Sequence, residues 1–155
     1  MEIPMPDGKT SAEIATLLQS LQKKCWGKDR ILADEFALTV PEFNLLTFFY
    51  EEKSQPIKFL TRAMNVTPGR ITHIVTALEN RGYVRRSLNK SDRRVVLVTL
   101  SKKGLEVVGR IEKRVIEFFT GMLSSISVDE QQQLLADLRL LYRIMAEVLG
   151  EDPEA

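Results

Sequence analysis

The stretch from Met64 to Gly104, MNVTPGRITHIVTALENRGYVRRSLNKSDRRVVLVTLSKKG, allows few folds. Thr67-Pro68 is a helix start: threonine caps orphan N–H groups, and proline suits the first turn, where its missing N–H costs nothing. Ile71, Ile74, Val75 and Leu78 then recur on one helical face, and Gly82 supplies a residue able to take the left-handed conformation that ends a helix. Tyr83–Leu88 and Val95–Leu100 are candidate strands, the second strongly β-branched. The polar Asn89-Lys90-Ser91-Asp92 between them is a turn, so the pair forms a β-hairpin. A preceding short helix, with Ile57, Leu60 and Met64 on its apolar side, exposes Lys58 and Arg62. Only a few residues join it to the Thr67 helix, which is the pattern of a helix-turn-helix.

Charge singles out the same region. Residues 54–104 hold eleven of the chain's 22 bases but only two of its 21 acids, Glu79 and Asp92, a local charge of +9. The remainder carries −8, so the net +1 conceals two opposed segments. Such asymmetry is the electrostatic footprint of a nucleic-acid-binding module, with a merely solvated basic face as the alternative.

The flanks are helical. Residues 1–9 form a loose tail. Thr10 followed by Glu13 is a capping-box signature that starts a first helix. Ile14, Leu18, Leu21 and Cys25 line one face of it toward Leu32–Phe36, with Gly27 as a place where it can break. A second capping box, Thr39 to Glu42, opens a helix through the nearly all-apolar FNLLTFFYEE, which Ser54-Gln55-Pro56 breaks. Ser101 caps a long helix striped by Leu105, Val108, Ile111, Val115, Phe119 and Met122. Ser127 to Glu130 is a further capping box, opening a last helix with Leu134, Leu138, Leu141, Met145 and Val148 on its apolar face. Gly150 ends it.

A dimer follows from those stripes. Each fully buried Leu, Ile or Phe is worth roughly 1.5–3 kcal/mol, and a small basic core cannot cover them all. A two-fold dimer with interdigitated terminal helices is the simplest closed solution; a monomer whose terminal helices fold back on its core is the alternative. The expected layout is a tail at 1–9, dimerisation helices at 10–38 and 105–150, and a DNA-binding lobe at 39–104. The fold class is mostly α with a small β-wing: a winged helix-turn-helix flanked by dimerisation helices.

Gly82-Tyr83-Val84-Arg85-Arg86, a basic tip, and then Asp92, Arg94, Leu100, Ser101 and Gly104 resemble the multiple-antibiotic-resistance regulator (MarR) family of bacterial winged-helix transcription factors. Ser101 stands where that family more often has threonine. The resemblance extends over nearly the whole chain. It implies a homodimer that places one recognition helix in each of two major grooves of a pseudo-palindromic operator, with wings reaching the adjacent minor grooves. With the apolar face inward, Gly69, Arg70, Thr72, His73 and Thr76 face out. Arg70 suits guanine, and His73 or the threonines suit base edges or phosphates. Thr67 and the free N–H groups at this helix start suit a phosphate. On the wing, the resemblance gives Arg94 the minor groove; Arg93 and Lys90 suit phosphate, and Asp92 is expected to brace an arginine.

Little supports an enzyme. His73 is the sole histidine and Cys25 the sole cysteine, so neither a metal cluster nor a disulfide framework is expected, and no glycine-rich phosphate loop is present. No cofactor is implied. No run is long and apolar enough to span a membrane and the N-terminus lacks signal-peptide character, so a cytoplasmic location is expected. Some members of the family sense peroxide through an early-helix cysteine. Lys23, Lys24 and Lys28 suit Cys25 to that role, while its place on an apolar stripe suits a small buried hydrophobe. The other effector implied is a small aromatic or amphipathic ligand held where terminal helices meet the lobe, for which Trp26, Phe48, Phe49 and Tyr50 are candidates, though a plain core role suits most of them. The functional expectation is a sequence-specific double-stranded DNA-binding regulator, in repressor form. The alternative is a winged-helix module that holds a protein partner.

Overall fold

The computed structural model describes residues 7–150. In chain order the elements are α1 (Gly8–Glu35), α2 (Val40–Thr47), β1 (Ser54–Pro56), α3 (Ile57–Ala63), α4 (Pro68–Asn80), β2 (Val84–Leu88), β3 (Val96–Leu100), α5 (Lys102–Leu123) and α6 (Val128–Leu149). The fold is therefore mostly helical with one small sheet. Contacts divide the chain into two compact units, Met1–Arg114 and Val115–Ala155.

The first unit holds the core. Leu32 and Ala33 of α1, Phe43, Leu45 and Leu46 of α2, Leu60 of α3, the α4 quartet Ile71, Ile74, Val75 and Leu78, Val98 of β3 and Ile111 of α5 are all buried. These are the α4 positions that periodicity placed inward. Thr39 caps α2, with the reciprocal Glu42 bonds of a capping box in place and the Glu42 carboxylate buried. Arg81 lies 3.6 Å from that carboxylate, so its charge is not left uncompensated. Glu35 pairs with Arg114 through the guanidinium Nε at 2.8 Å.

Several boundaries depart from expectation. Asp7, not Thr10, caps α1, accepting from the Lys9 N–H at 3.2 Å, so Thr10 and Glu13 lie inside the helix. The tail expected at 1–9 thus gives way to helix from Gly8, and residues 1–6 lie outside those described. Gly27 does not interrupt α1. Helix α2 stops at Thr47, where Phe48 caps it, so Phe48–Tyr50 turn away rather than continuing the helix.

Ser54-Gln55-Pro56 ends the expected helix by becoming a strand, which the sequence reading missed. β1 pairs antiparallel with β3 (Ser54 opposite Thr99), giving sheet order β1-β3-β2. The Ser54 and Thr99 hydroxyls bond at 2.8 Å across that pair. Proline is tolerated there because β1 is an edge strand.

The second unit comprises the end of α5 and all of α6. Ser127 and Glu130 form the expected capping box, and Gln131 Nε2 donates to the carbonyls of Leu123 and Ile126, closing the turn between the helices. Gly150 ends α6 with φ +69°. Along α6 the apolar stripe is open: Leu138 is 51% and Val148 80% exposed. In the first unit, α1 likewise leaves Ile14 50% and Leu17 59% exposed.

Candidate nucleic-acid interface

The site is assembled on α4 and the β2–β3 hairpin. Thr67 adopts extended backbone geometry and its hydroxyl accepts from the Arg70 N–H at 3.3 Å, so the cap expected from sequence is formed. The turn from α3 is made by Asn65 at φ +49°, a left-handed conformation that asparagine tolerates better than branched residues. Burial of Ile71, Ile74, Val75 and Leu78 leaves Gly69, Arg70, Thr72, His73 and Thr76 exposed together on the opposite face.

Those side chains are not equally available. Thr72 Oγ1 donates to the Pro68 carbonyl and Thr76 Oγ1 to the Thr72 carbonyl, each at 2.8 Å. Their hydroxyl hydrogens are thus committed to the helix, leaving methyl groups and acceptor lone pairs to face outward. Thr76 is engaged further: Arg86 Nη2 donates to its Oγ1 at 2.9 Å and to the Thr72 carbonyl at 2.8 Å. Arg86 also pairs with Glu79 through Nη1, and its backbone N–H donates to Glu79 Oε1 at 2.8 Å. Sequence reasoning counted Arg86 in the basic patch without giving it a place in the site. The GYVRR pattern marks the residue, but only the fold brings it over α4.

At the hairpin tip, Lys90, Arg93 and Arg94 are all exposed. Asn89 Oδ1 accepts from the Ser91 N–H at 2.8 Å, and Asp92 Oδ1 from the Arg94 N–H at 2.9 Å. The contact Asp92 makes with an arginine is at the Arg94 backbone, because a short carboxylate in a turn reaches the N–H two residues on more readily than a distant guanidinium.

Lys58 and Arg62, on the exposed side of α3, join Pro68 and Thr72 around a groove of about 450 Å³ between α3 and α4. They extend the basic surface from α4 and the hairpin tip onto α3, where the sequence placed them as exposed bases. Arg81 and Lys103 lie over the Tyr83 ring at 5.4 and 4.9 Å from its centroid, cation–π contacts that tie the end of α4 to the start of α5.

The candidate effector residues do not converge. Trp26 lines a cavity of about 650 Å³ with Arg30 of α1, Pro41 and Asn44 of α2, Met64, and Arg70 and Ile74 of α4. Phe48, Phe49 and Tyr50 are not part of its wall, since α2 ends before them. Phe48 packs edge-on against Phe59 at 6.0 Å, and Phe49 is core. The Tyr50 hydroxyl is buried with no hydrogen-bond partner among the described residues, and burial, then Glu112 and Asp29, push its phenol up to about 12. Cys25 is exposed on α1, not a buried hydrophobe within this chain. Among the described residues, no group of three or more His, Cys, Asp or Glu is placed to hold a metal, and no helix is long and apolar enough to cross a membrane.

Comparison with known proteins agrees with this geometry. The family model described as "MarR family" matches residues 38–96, which run from before α2 to the start of β3. The HTH-type transcriptional regulator TtmR of Methylorubrum extorquens (strain PA1) is 28% identical over 109 residues, covering 70% of this chain and 55% of that protein. The chain thus spans little more than half of that relative's length, and 66% of the uncharacterized regulator YwhA of Bacillus subtilis (strain 168). The HTH-type regulator SarZ of Staphylococcus haemolyticus (strain JCSC1435) is 28% identical over 86% of this chain and 89% of its own. A MarR family protein from Bacillus stearothermophilus has a similar fold, with TM-score 0.82, 23% identity, and coverage of 92% of this chain and 99% of that one. BldR of Sulfolobus solfataricus gives TM-score 0.69 and 24% identity over 86% and 97% of the two chains.

Proposed function

Because the chain belongs to the MarR family of DNA-binding transcription regulators, we propose that it acts as a homodimeric repressor on a pseudo-palindromic operator. One observation carries this reading. The +9 segment folds so that Arg70, on the outward face of α4, and Lys90, Arg93 and Arg94, at the tip of the β2–β3 hairpin, are exposed on one lobe. Residues 39–104 form the DNA-binding lobe, and 10–38 with 105–150 supply the pairing helices.

In the proposed complex α4 enters the major groove. Arg70 reads a base edge, and Gly69 lets the backbone approach. Thr67 and the helix start hold a phosphate, and His73, Thr72 and Thr76 contact bases or phosphates as their hydrogen bonding allows. Arg94 enters the minor groove, with Lys90 and Arg93 on phosphates and Asp92 holding the tip. The test is a mobility shift with DNA from the protein's own promoter region. Affinity should fall steeply with salt, and protected half-sites should lie about one helical turn apart. Arg94→Ala should weaken binding to most sequences, whereas Arg70→Ala should also relax base preference. Absence of any shift at low salt overturns the reading; an acidic protein co-purifying without a DNA footprint favours the partner-binding alternative.

The cavity beside Trp26 supports a small aromatic or amphipathic effector, since Arg70 belongs both to its wall and to the reading face. Trp26 is the chain's only tryptophan, so its emission reports directly on occupancy. An oxidant is the other signal, supported by the exposure of Cys25. Loss of peroxide-induced DNA release in Cys25→Ser would establish that route, and an unchanged response would remove it.

A further inference from the structure

Arg86 stands in β2, the first strand of the wing, yet most of its bonds go to the recognition helix. Its two terminal nitrogens reach the Thr72 carbonyl, Thr76 Oγ1 and the Glu79 carboxylate, which span two turns of α4. Glu79 completes the link in the other direction by accepting the Arg86 backbone N–H at 2.8 Å. A single carboxylate thereby holds both the side chain and the main chain of one strand residue. The planar guanidinium fits this geometry because its donors are fixed in one plane and address several acceptors at once; a lysine ammonium cannot reproduce that fork. Both partners are partly shielded, with side-chain exposures of 28% and 27%.

We propose that Arg86 is a positioning residue for DNA recognition. With Glu79 it clamps the wing to α4 and fixes the distance between the major-groove and minor-groove readers. Beyond Arg86 only the Ser87–Leu97 and Leu88–Val96 pairs remain before the turn at 89–95, and β1 gives out opposite Leu97, so the tip is carried on two strands with little rigidity of their own. The clamp sits at the root of that projection, so a small rotation there becomes a large displacement of Arg94 at the tip. It also neutralises Glu79, one of only two acids in the basic segment, which would otherwise repel phosphate. This inference rests on the DNA-binding reading for its purpose, but the clamp exists in the free protein and is measurable there.

The two partners carry opposite charges, which separates positioning from simple electrostatics. Removing Arg86 subtracts a positive charge and removing Glu79 subtracts a negative one. If bulk charge governs, Arg86→Met weakens DNA binding and Glu79→Ala strengthens it. If the clamp governs, both weaken binding to the operator by about tenfold, as loss of charge-assisted hydrogen bonds implies, and the double variant is no worse than the weaker single. The fall should be larger on operator than on random DNA. Arg86→Lys, which keeps the charge, should behave like Arg86→Met. Amide exchange in the free protein should quicken at Arg86 and through the hairpin tip in each variant, with helical circular dichroism unchanged. Tighter binding by Glu79→Ala, full activity of Arg86→Lys, or unchanged exchange overturns the proposal. If the wild type binds no DNA the regulator reading fails, and the exchange measurement still decides whether the clamp operates. If Arg86→Met does not fold, Arg86→Lys and Glu79→Ala carry the same comparisons.

Discussion

At Gly104 an added Cβ would sit 2.0 Å from the Tyr83 carbonyl oxygen and 3.2 Å from Leu100 Cδ2. That carbonyl is fixed by the Ser101 N–H at 2.9 Å, so it cannot step aside. The glycine of the Leu-Ser-x-x-Gly motif is therefore demanded by close approach of backbone to backbone. Gly104→Ala should cost about 1–3 kcal/mol of overpacking, read from the midpoint of urea unfolding. Tyr50 makes a different prediction. Its phenol is pushed up to about 12 from 10.0, by burial first and neighbouring carboxylates second. The unfolded chain releases this proton near the ordinary value and the folded one holds it longer. The stability tied to the neutral phenol is thus fully present below about pH 10 and is lost as pH rises toward 12. Phenolate absorbance should show Tyr50 titrating late in the folded protein. Tyr50→Phe, which removes an unpartnered hydroxyl, should leave neutral-pH stability unchanged or raise it by up to about 1 kcal/mol.

Among the elements, the helix starts show how far local chemistry reaches. Thr39, Thr67 and Ser127 cap where their sequence patterns place them, because a cap needs only its own side chain and the next three residues. Thr10 has the same pattern and fails, since Asp7 caps one turn earlier and the helix simply includes it. Strand β1 was invisible for the opposite reason. Three residues ending in proline carry no periodicity, and they are extended only because β3 offers an unpaired edge. Thr67→Ala should lower stability by about 1 kcal/mol through the lost cap. It should also weaken operator binding beyond that loss, because the same helix start is proposed to hold a phosphate; equal affinity per folded molecule would refute the phosphate role.

On the scale of the molecule, exposed apolar stripes remain the largest unsatisfied demand. Leu134, Leu138 and Met145 of α6, and Ile14 and Leu21 of α1, are each exposed by more than a third in the single chain. On α6, Leu138, Leu141, Tyr142, Met145, Ala146 and Leu149 line an apolar groove of about 500 Å³. A second copy is the proposed cover. Leu138→Glu should shift the sedimenting species to a monomer, and operator affinity should fall because two half-sites are no longer held by one body. A wild-type protein that sediments as a monomer at micromolar concentration would remove the dimer.

The sequence by itself determined the helices with capped starts, the inward face of α4, the glycine-ended turns and the concentration of positive charge. Each depends on neighbours within a few residues or on composition. Tertiary structure alone decided what is joined across the chain. It turned Phe48–Tyr50 away from Trp26, gave β1 its partner and turned Asp92 onto the backbone of its own loop. Above all it laid Arg86 across Thr72, Thr76 and Glu79. A side chain's charge and reach are written at its own position, but its partner is chosen by how distant segments pack. Arg86 and Arg93 therefore look alike in the sequence, while Arg86 lies folded against α4 and Arg93 stays exposed.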